Sequence, residues 1–481
     1  MSNMPGVSGL FFGALGDARI NVLSISQGCD ERNISACIYT KDATKALRAV
    51  HAAFWLSSLD MNIGLVGTGR VGSALMQSWV DQIESLNYRF NINIKVRGIA
   101  NSKQMLLGEN LLPDLKKMLN RFKDKPQSPK RGDSTMRRIH SNIGLQDVES
   151  AFLEDDGKKV PVDLETFFLH VTSGGTPHSI MIDASTSEKV AARHPSWLKN
   201  GSHIVTANKR AISSSIDLYN SVLAESRKSG KLYMSEVTIG AALPVQTTIN
   251  DLLVSGDSIH SIAGLMSVSV GMVLTDVCEN GMMFSDALHR AYSQGLFEDD
   301  VFQDLEGTET AQKVLILARL LGVPLELNDV YYEPIAKKRH VTNWNDIESL
   351  RADFKEENEK LAKMAAAARA KDCTLRYIQR ISISGHIAKA CIKLEEVHVD
   401  SDYARVKGAV YHFTFYTERY SKNPLMIQGP LSDSANTASG IVGDMLRIAK
   451  DIGAKDKGPD LLTKAPLSRV NSLVTDSDNK A

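Results

Sequence analysis

MNIGLVGTGRVGSALMQSWV, residues 61–80, decides how the rest of the chain is read. Residues 62–66 form a short apolar run that reads as a buried strand, and Gly67-Thr68-Gly69-Arg70-Val71-Gly72 follows at once. Ala74, Leu75, Trp79, Val80 and Ile83 then fall on one face of a helix. Strand, GxGxxG turn and helix, in that order, is the arrangement a dinucleotide site needs. Gly67 permits the tight turn, Gly69 lets the backbone approach a pyrophosphate, and Gly72 lets the helix lie close to the strand. The pyrophosphate would then face free N–H groups at the positive end of the helix. The plain alternative is a glycine-rich turn in some other α/β domain.

With 481 residues the chain has room for two or three domains. Lys plus Arg and Asp plus Glu both total 56, so zero formal charge gives no electrostatic reason to expect nucleic acid or an anionic membrane as partner. One basic run, KDKPQSPKRGDSTMRR at 123–138, has no interleaved aromatics and reads as a solvated linker. No apolar run reaches the roughly 18 residues of a transmembrane helix. The N-terminus lacks a basic stretch ahead of a long apolar core, so no secretory signal is expected. Cys29, Cys37, Cys278, Cys373 and Cys391 are scattered, without metal-site spacing. A reduced compartment follows, with the cytoplasm expected and a plastid left open.

Residues 8–58 alternate helix, strand, strand, helix. The strand at 90–103 ends in Ala100-Asn101-Ser102-Lys103, without the carboxylate that an NAD-selective site places there for the ribose 2′-hydroxyl. Lys103, with Arg70, would instead meet a 2′-phosphate, which favours NADP and leaves NAD possible. Residues 104–170 are polar and irregular, an insertion in a nucleotide domain spanning 61–230. Two further strands end in small polar groups, at Asp183-Ala-Ser185 and at Asn208-Lys209. Ligands of open α/β sheets bind at such carboxyl ends. From 231 to 424 helices mix with alternating strands, 258–270 among them, as in an α+β substrate and dimerisation domain. Residues 425–455 form a segment returning to the nucleotide domain, and 456–481 read as a disordered tail. On a helix through 307–321, Glu309 and Lys313 share one face. They suit a carboxylate that anchors an ammonium beside a lysine that serves a reacting oxygen. Spacing alone favours a surface pair worth roughly 0.2–0.5 kcal/mol.

Read together, VGTGRVGSAL, GIANSK, DASTSEKVAARHPSWLKNGSHIVTANKRA, YMSEVTIGAALPV, GDSIHSIAGLMS and DLEGTETAQKVLILAR resemble homoserine dehydrogenase of the type fused to aspartate kinase. The likeness runs from about residue 8 to about 455, and residues 8–58 are similar to part of an ACT (βαββαβ-like) regulatory domain. The fold so implied is α/β: a Rossmann-type domain and an α+β domain behind a partial ACT segment. The activity implied is NAD(P)-dependent interconversion of L-aspartate 4-semialdehyde and L-homoserine by a homodimer. By position, Lys313 matches the acid/base lysine, its pKa expected to fall on desolvation, and Lys209 a lysine near nicotinamide and substrate. Ser185 matches a cofactor contact, beside the loop from Gly67 to Gly72. Glu298, Asp304 and Glu309 match the substrate-ammonium pocket, to which Ser269 adds a hydroxyl. Glu236, with the carbonyls of Ile239, Ala241 and Leu243, matches a structural sodium site. Gln27 lies where ACT domains contact an amino-acid effector.

This chain departs from the family pattern near that pocket. Glu309 stands where Asp is usual, and Leu296 where a tyrosine is usual. Val268 replaces a glycine, and Gly429-Pro-Leu431-Ser-Asp433 replaces a Gly-Ala-Gly cofactor loop. These changes define the alternative: an impaired dehydrogenase fold that binds NADP or an amino acid and regulates a partner.

Overall fold

A computed structural model describes residues 6–28, 33–54, 58–123, 159–297, 300–385, 387–430 and 434–458. The N-terminal segment packs helices Val7–Asp17 and Ala43–Ala53 against an antiparallel pair, β1 (Val22–Gln27) and β2 (Ile34–Ile38). Leu15, Ala18, Ile20, Ala46 and Ala49 form its small core. Among the described residues three side-chain hydrogen bonds tie it to the nucleotide domain: Arg19 to the Lys199 carbonyl (2.6 Å), Arg48 to the Gly174 carbonyl (3.0 Å), and Lys231 back to the Asp17 carbonyl (3.2 Å). A cavity of about 720 Å³ lies in this junction, walled by Leu10, Ala14, Ala52, Phe90, His178 and Ala454 among others.

The nucleotide domain is built on seven strands: β3 (Leu59–Val66), β4 (Ile92–Ala100), β5 (Gln104–Leu107), β6 (Lys159–Pro161), β7 (His178–Asp183), β8 (His203–Thr206) and β9 (Tyr233–Met234). Their order is β6-β5-β4-β3-β7-β8-β9. The run from β4 to β9 is parallel, and β5 and β6 add an antiparallel edge. Parallel strands must be covered on both faces, and β3 and β7 are buried along almost their whole length. Helices Arg70–Phe90 and Ser434–Asp451 cover one face, joining Leu75, Trp79, Ile441, Met445 and Ile448 to Ile63 and Ile94. Phe167, Phe168, Val171 and Trp197 cover the other.

After β3 the chain goes to β4 on one side and later to β7 on the other. The order therefore reverses at β3, and this switch point opens a crevice beyond the carboxyl ends of β3 and β7. The glycine turn sits there. Gly67 has φ 103°, and a Cβ on it would lie 2.6 Å from the Ala184 carbonyl carbon. A Cβ on Gly72 would fall inside contact distance of the Gly67 carbonyl oxygen, whereas one on Gly69 would meet nothing within 4 Å. Gly69 thus leaves open space above the helix N-terminus.

The second sheet contains β10 (Ile259–Leu265), β11 (Val330–Tyr332), β12 (Cys373–Ser384), β13 (Ile387–His398), β14 (Val410–Thr417) and β15 (Leu425–Pro430). Its order is β11-β13-β12-β10-β14-β15, antiparallel except for the β11–β13 pair. Helices Val268–Glu279 and Thr308–Leu320 share the main core with it through Val273, Val314 and Ile381.

Four expectations are corrected. The insertion 104–170 is not irregular throughout: β5, helix Leu112–Lys123, β6 and helix Leu164–Thr172 occupy its described parts, and 124–158 lie outside the described residues. Its strands are too short to show a period. The alternation at 258–270 stops at Leu265, and Val268 begins a helix buried nearly all round, which has no amphipathic signature to read. Residues 425–430 form the edge strand β15, with Ile427 opposite Phe413, so only the helix Ser434–Asp451 returns to the nucleotide domain. The expected tail at 456–481 starts too early, because Arg89 holds the Asp456 carboxylate at 2.7 and 2.9 Å, while 459–481 lie outside the described residues.

Two substitutions separate packing from ligand approach. Gly72→Ala forces the helix off the strand; overpacking of this kind costs roughly 1–3 kcal/mol, and the nucleotide domain's thermal transition should fall accordingly. Gly69→Ala should leave that transition unchanged and weaken dinucleotide binding at least tenfold by fluorescence titration.

Candidate active site

Lys209 follows β8 at the start of the helix Arg210–Ser213, on the crevice side of the nucleotide sheet. The helix Thr308–Leu320 of the second domain meets it there. Glu309 and Lys313 lie one turn apart on that helix, and both are buried. One oxygen of Glu309 stands 2.5 Å from Lys209 Nζ and the other 3.0 Å from Lys313 Nζ. A single carboxylate therefore bridges lysines from two domains. Lys313 Nζ also donates to the Met266 carbonyl at 2.9 Å and lies 5.3 Å from the centre of the Tyr411 ring. Asp304, buried nearby, accepts from Ser269 Oγ at 2.8 Å.

Electrostatics decide the protonation states. Burial works against the Lys313 ammonium, but Glu309, Tyr411 and Asp304 together outweigh it and hold its pKa above the usual lysine range. The expected depression of this pKa is thus reversed, because desolvation here comes with carboxylates on the same face. Burial likewise works against the Glu309 carboxylate, and the two lysines overcome it, keeping the group ionised. Glu309 Oε2 is fully buried against the Lys313 ammonium. The longer side chain is compatible with the bridge, since it reaches both lysines at once.

The other expected residues are placed as follows. Thr68 is buried, and Ser73 Oγ donates to its carbonyl at 2.9 Å, closing the turn. Arg70 opens the following helix, fully outward, with Val71 half-buried behind it. Lys103 is exposed in the turn after β4, where Asn101 Oδ1 accepts from the N–H groups of Lys103 (2.8 Å) and Gln104 (2.7 Å). Ser185 lies beside Gly67 at the switch point. Leu296 packs against the main core, and Glu298, Leu431 and Asp433 lie outside the described residues. Gln27 ends β1, where it accepts from Ser8 Oγ at 3.3 Å on the surface.

Glu236 accepts from the N–H groups of Gln246 (2.7 Å) and Thr247 (3.0 Å), tying it to the first turn of the helix Val245–Val254. Ala241 has φ 54°, rare for a residue with a side chain, which turns the 239–243 backbone sharply. The Glu236 carboxylate is an oxygen donor of the kind a hard monovalent cation takes. Among the described residues no group of three or more His, Cys, Asp or Glu has metal-site geometry.

Sequence reasoning missed the groups that aim Lys313. The Met266 carbonyl leaves no mark in a sequence. Gln379 left one: an amide amid the apolar residues of β12, it is fully buried and accepts from the Met266 N–H at 2.6 Å.

A glycine-turn nucleotide domain joined to an α+β domain, with lysines and carboxylates buried where they meet, defines a two-domain dehydrogenase that binds a nicotinamide cofactor. Comparison with known proteins makes the class specific. The family model described as homoserine dehydrogenase, NAD binding domain, matches residues 67–236, the homoserine dehydrogenase model matches 244–446, and an ACT domain model matches 1–54. The chloroplastic bifunctional aspartokinase/homoserine dehydrogenase 2 of Arabidopsis thaliana is 32% identical over 454 residues, covering 94% of this chain and 46% of that protein. A homoserine dehydrogenase of Paracoccidioides brasiliensis is 32% identical over 282 residues, 56% of this chain and 74% of that protein. The chain belongs to the homoserine dehydrogenase family, whose members are oxidoreductases. It spans about half the length of the bifunctional relatives it matches. A solved hyperthermophilic archaeal homoserine dehydrogenase in complex with NADPH shares the fold, with TM-score 0.58, 18% identity, and coverage of 82% of this chain and 99% of that one. A Candida auris protein of unknown function does so too, at TM-score 0.64 and 23% identity, covering 82% and 99%.

Glu309→Gln tests the bridge. It leaves the buried Lys313 ammonium and the half-buried Lys209 ammonium facing one another, and breaking a buried pair costs roughly 3–5 kcal/mol. In the native protein the depressed Glu309 pKa contributes stability above the usual carboxylate range, lost as acid titrates it. The raised Lys313 pKa contributes below the usual lysine range, lost as base titrates it. Both are intact at neutral pH, so the variant's deficit should be largest there in denaturant titrations at stepped pH.

Proposed function

We propose that the chain interconverts L-aspartate 4-semialdehyde and L-homoserine with NADP(H). The observation that carries this reading is the Lys209–Glu309–Lys313 bridge at the mouth of the nucleotide crevice. Gly67, Thr68, Gly69, Arg70, Val71 and Gly72 would hold the pyrophosphate end of the cofactor, with Ser185 and Lys209 at its nicotinamide. Arg70 and Lys103, both exposed cations, support selection of the 2′-phosphate. When bound, the cofactor supplies hydride exchange at the aldehyde carbon. Glu309, Asp304 and Glu298 take the substrate ammonium, and Ser269 fixes the orientation of Asp304. Lys313, kept protonated, gives its proton to the oxygen that becomes the alcohol. Lys209 offsets the carboxylate charge and closes the site from the nucleotide side.

The assembled bridge supports this enzyme over an impaired regulatory fold. Several finer readings belong to the same proposal. The protein acts as a homodimer, a sodium ion at Glu236, Ile239, Ala241 and Leu243 has a structural role, and an amino-acid effector acts through the ACT segment. No helix among the described residues is long and apolar enough to cross a membrane. The cytoplasm remains our reading of the compartment, with a plastid kept open by the chloroplastic names of plant relatives.

Purified protein should oxidise NADPH with L-aspartate 4-semialdehyde, and Lys313→Ala should lower kcat at least 10²-fold. Absence of turnover in folded protein that still binds NADPH would sink the proposal. A raised Lys313 pKa also sets the direction of the pH profiles. Homoserine oxidation needs the neutral amine and should keep rising through alkaline pH, whereas aldehyde reduction uses the ammonium and should stay flat until Lys313 titrates.

A further inference from the structure

Asp183 closes β7 at the switch point, and no part of it reaches solvent. Four donors surround its carboxylate. The Ser185 N–H (2.9 Å) and Ser185 Oγ (2.6 Å) reach Oδ1, while Asn208 Nδ2 (2.9 Å) and His194 Nε2 (3.1 Å) reach Oδ2. Ser185 belongs to the loop after β7 and Asn208 to the loop after β8, directly before Lys209. One buried carboxylate thus joins both loops that flank the crevice.

An ionised carboxylate only accepts, so it assigns a role to every partner. The Ser185 hydroxyl commits its single proton to Asp183. Asn208 turns its amide nitrogen inward, with its second hydrogen on the Ser187 carbonyl (3.0 Å), and its Oδ1 accepts from the Arg210 N–H (3.0 Å). His194 directs Nε2–H to Asp183, and its Nδ1 lies 3.2 Å from the Tyr233 hydroxyl, which burial and the Asp183 charge keep protonated. Ser185 Oγ is left with lone pairs alone. One takes the Ser187 N–H at 3.2 Å. The other can only accept. A nicotinamide carboxamide presents an NH2 donor and a carbonyl acceptor, and such an oxygen can pair only with the NH2.

We propose that Asp183 is a positioning residue that makes Ser185 an obligate acceptor for the carboxamide NH2 of the nicotinamide and holds the Asn208–Lys209 loop in register with it. Asp183 touches neither cofactor nor substrate and acts through Ser185 and Asn208. The inference rests on a nicotinamide cofactor in this crevice and is independent of which aldehyde is reduced.

The test uses binding, with the whole chain. NADPH and its 3-acetylpyridine analogue, in which a methyl group replaces the NH2, are titrated against native protein, Asp183→Asn, Ser185→Ala and the double variant. The native protein should prefer NADPH at least tenfold. Asp183→Asn leaves one acceptor oxygen among four surrounding donors and sets an NH2 against two of them, so the Ser185 hydroxyl is no longer held as a donor, and it should erase most of that preference. Ser185→Ala should erase it as well, and the double variant should be no worse than the worse single one. Full preference in Asp183→Asn, or additive losses in the double variant, would overturn the proposal and leave Asp183 a purely structural residue. If Asp183→Asn does not fold, Ser185→Ala decides: retained preference refutes the role. Native protein that shows this preference but no turnover with L-aspartate 4-semialdehyde would overturn the proposed substrate while supporting the role of Asp183.

Discussion

One carboxylate holds the two halves of this site together. Glu309 projects from a helix of the second domain and pairs with Lys313 on its own helix and with Lys209 on the nucleotide domain. A buried charge without a partner is expensive, and the two lysines supply what the buried Glu309 carboxylate needs. The consequence is geometric as well as electrostatic. A domain that binds a dinucleotide and a domain that shapes a substrate pocket come together where acid, base and ammonium-binding groups are required.

The same constraint accounts for the chemistry the site can perform. Desolvation alone would make Lys313 a neutral amine. The surrounding carboxylates and the Tyr411 ring make it a lasting ammonium, which favours donation to a developing alkoxide. Gln379 reaches the same lysine indirectly, by holding the Met266 peptide whose carbonyl accepts from Nζ. Around the nucleotide crevice Asp183 has a comparable place, drawing two loops onto one buried anion. Both arrangements put buried, hydrogen-bonded polar groups behind the reacting ones, which is how a site keeps its aim.

The N-terminal segment docks at the amino ends of the parallel strands, away from the crevice. Arg19 and Arg48 grip loops that lead into β8 and β7, the strands whose far ends carry Lys209 and Ser185. The helix Ser434–Asp451 spans the nucleotide domain in the same sense, leading from the close of β15 towards the junction with the N-terminal segment. The ACT-like segment and the crevice are therefore joined through continuous secondary structure.

Much of this was readable from residues in line. The glycine turn declared itself because the three glycines answer local demands: a positive φ at Gly67, open space at Gly69, and close packing at Gly72. The i,i+4 pair of Glu309 and Lys313 followed from helical periodicity alone. Other features had no local cause. Val268–Glu279 is buried nearly all round, so its helix carried no periodic signal, and β15 is defined only by the strand it pairs with. Lys209 and Glu309 stand 100 positions apart, and nothing in the order of residues says that they meet. The direction of the Lys313 pKa shift reversed for the same reason. Sequence by itself determined which groups could act and which backbone conformations were open to them. Tertiary structure decided which groups share one low-dielectric space, because there a charge a few ångströms away outweighs the preferences of any isolated side chain.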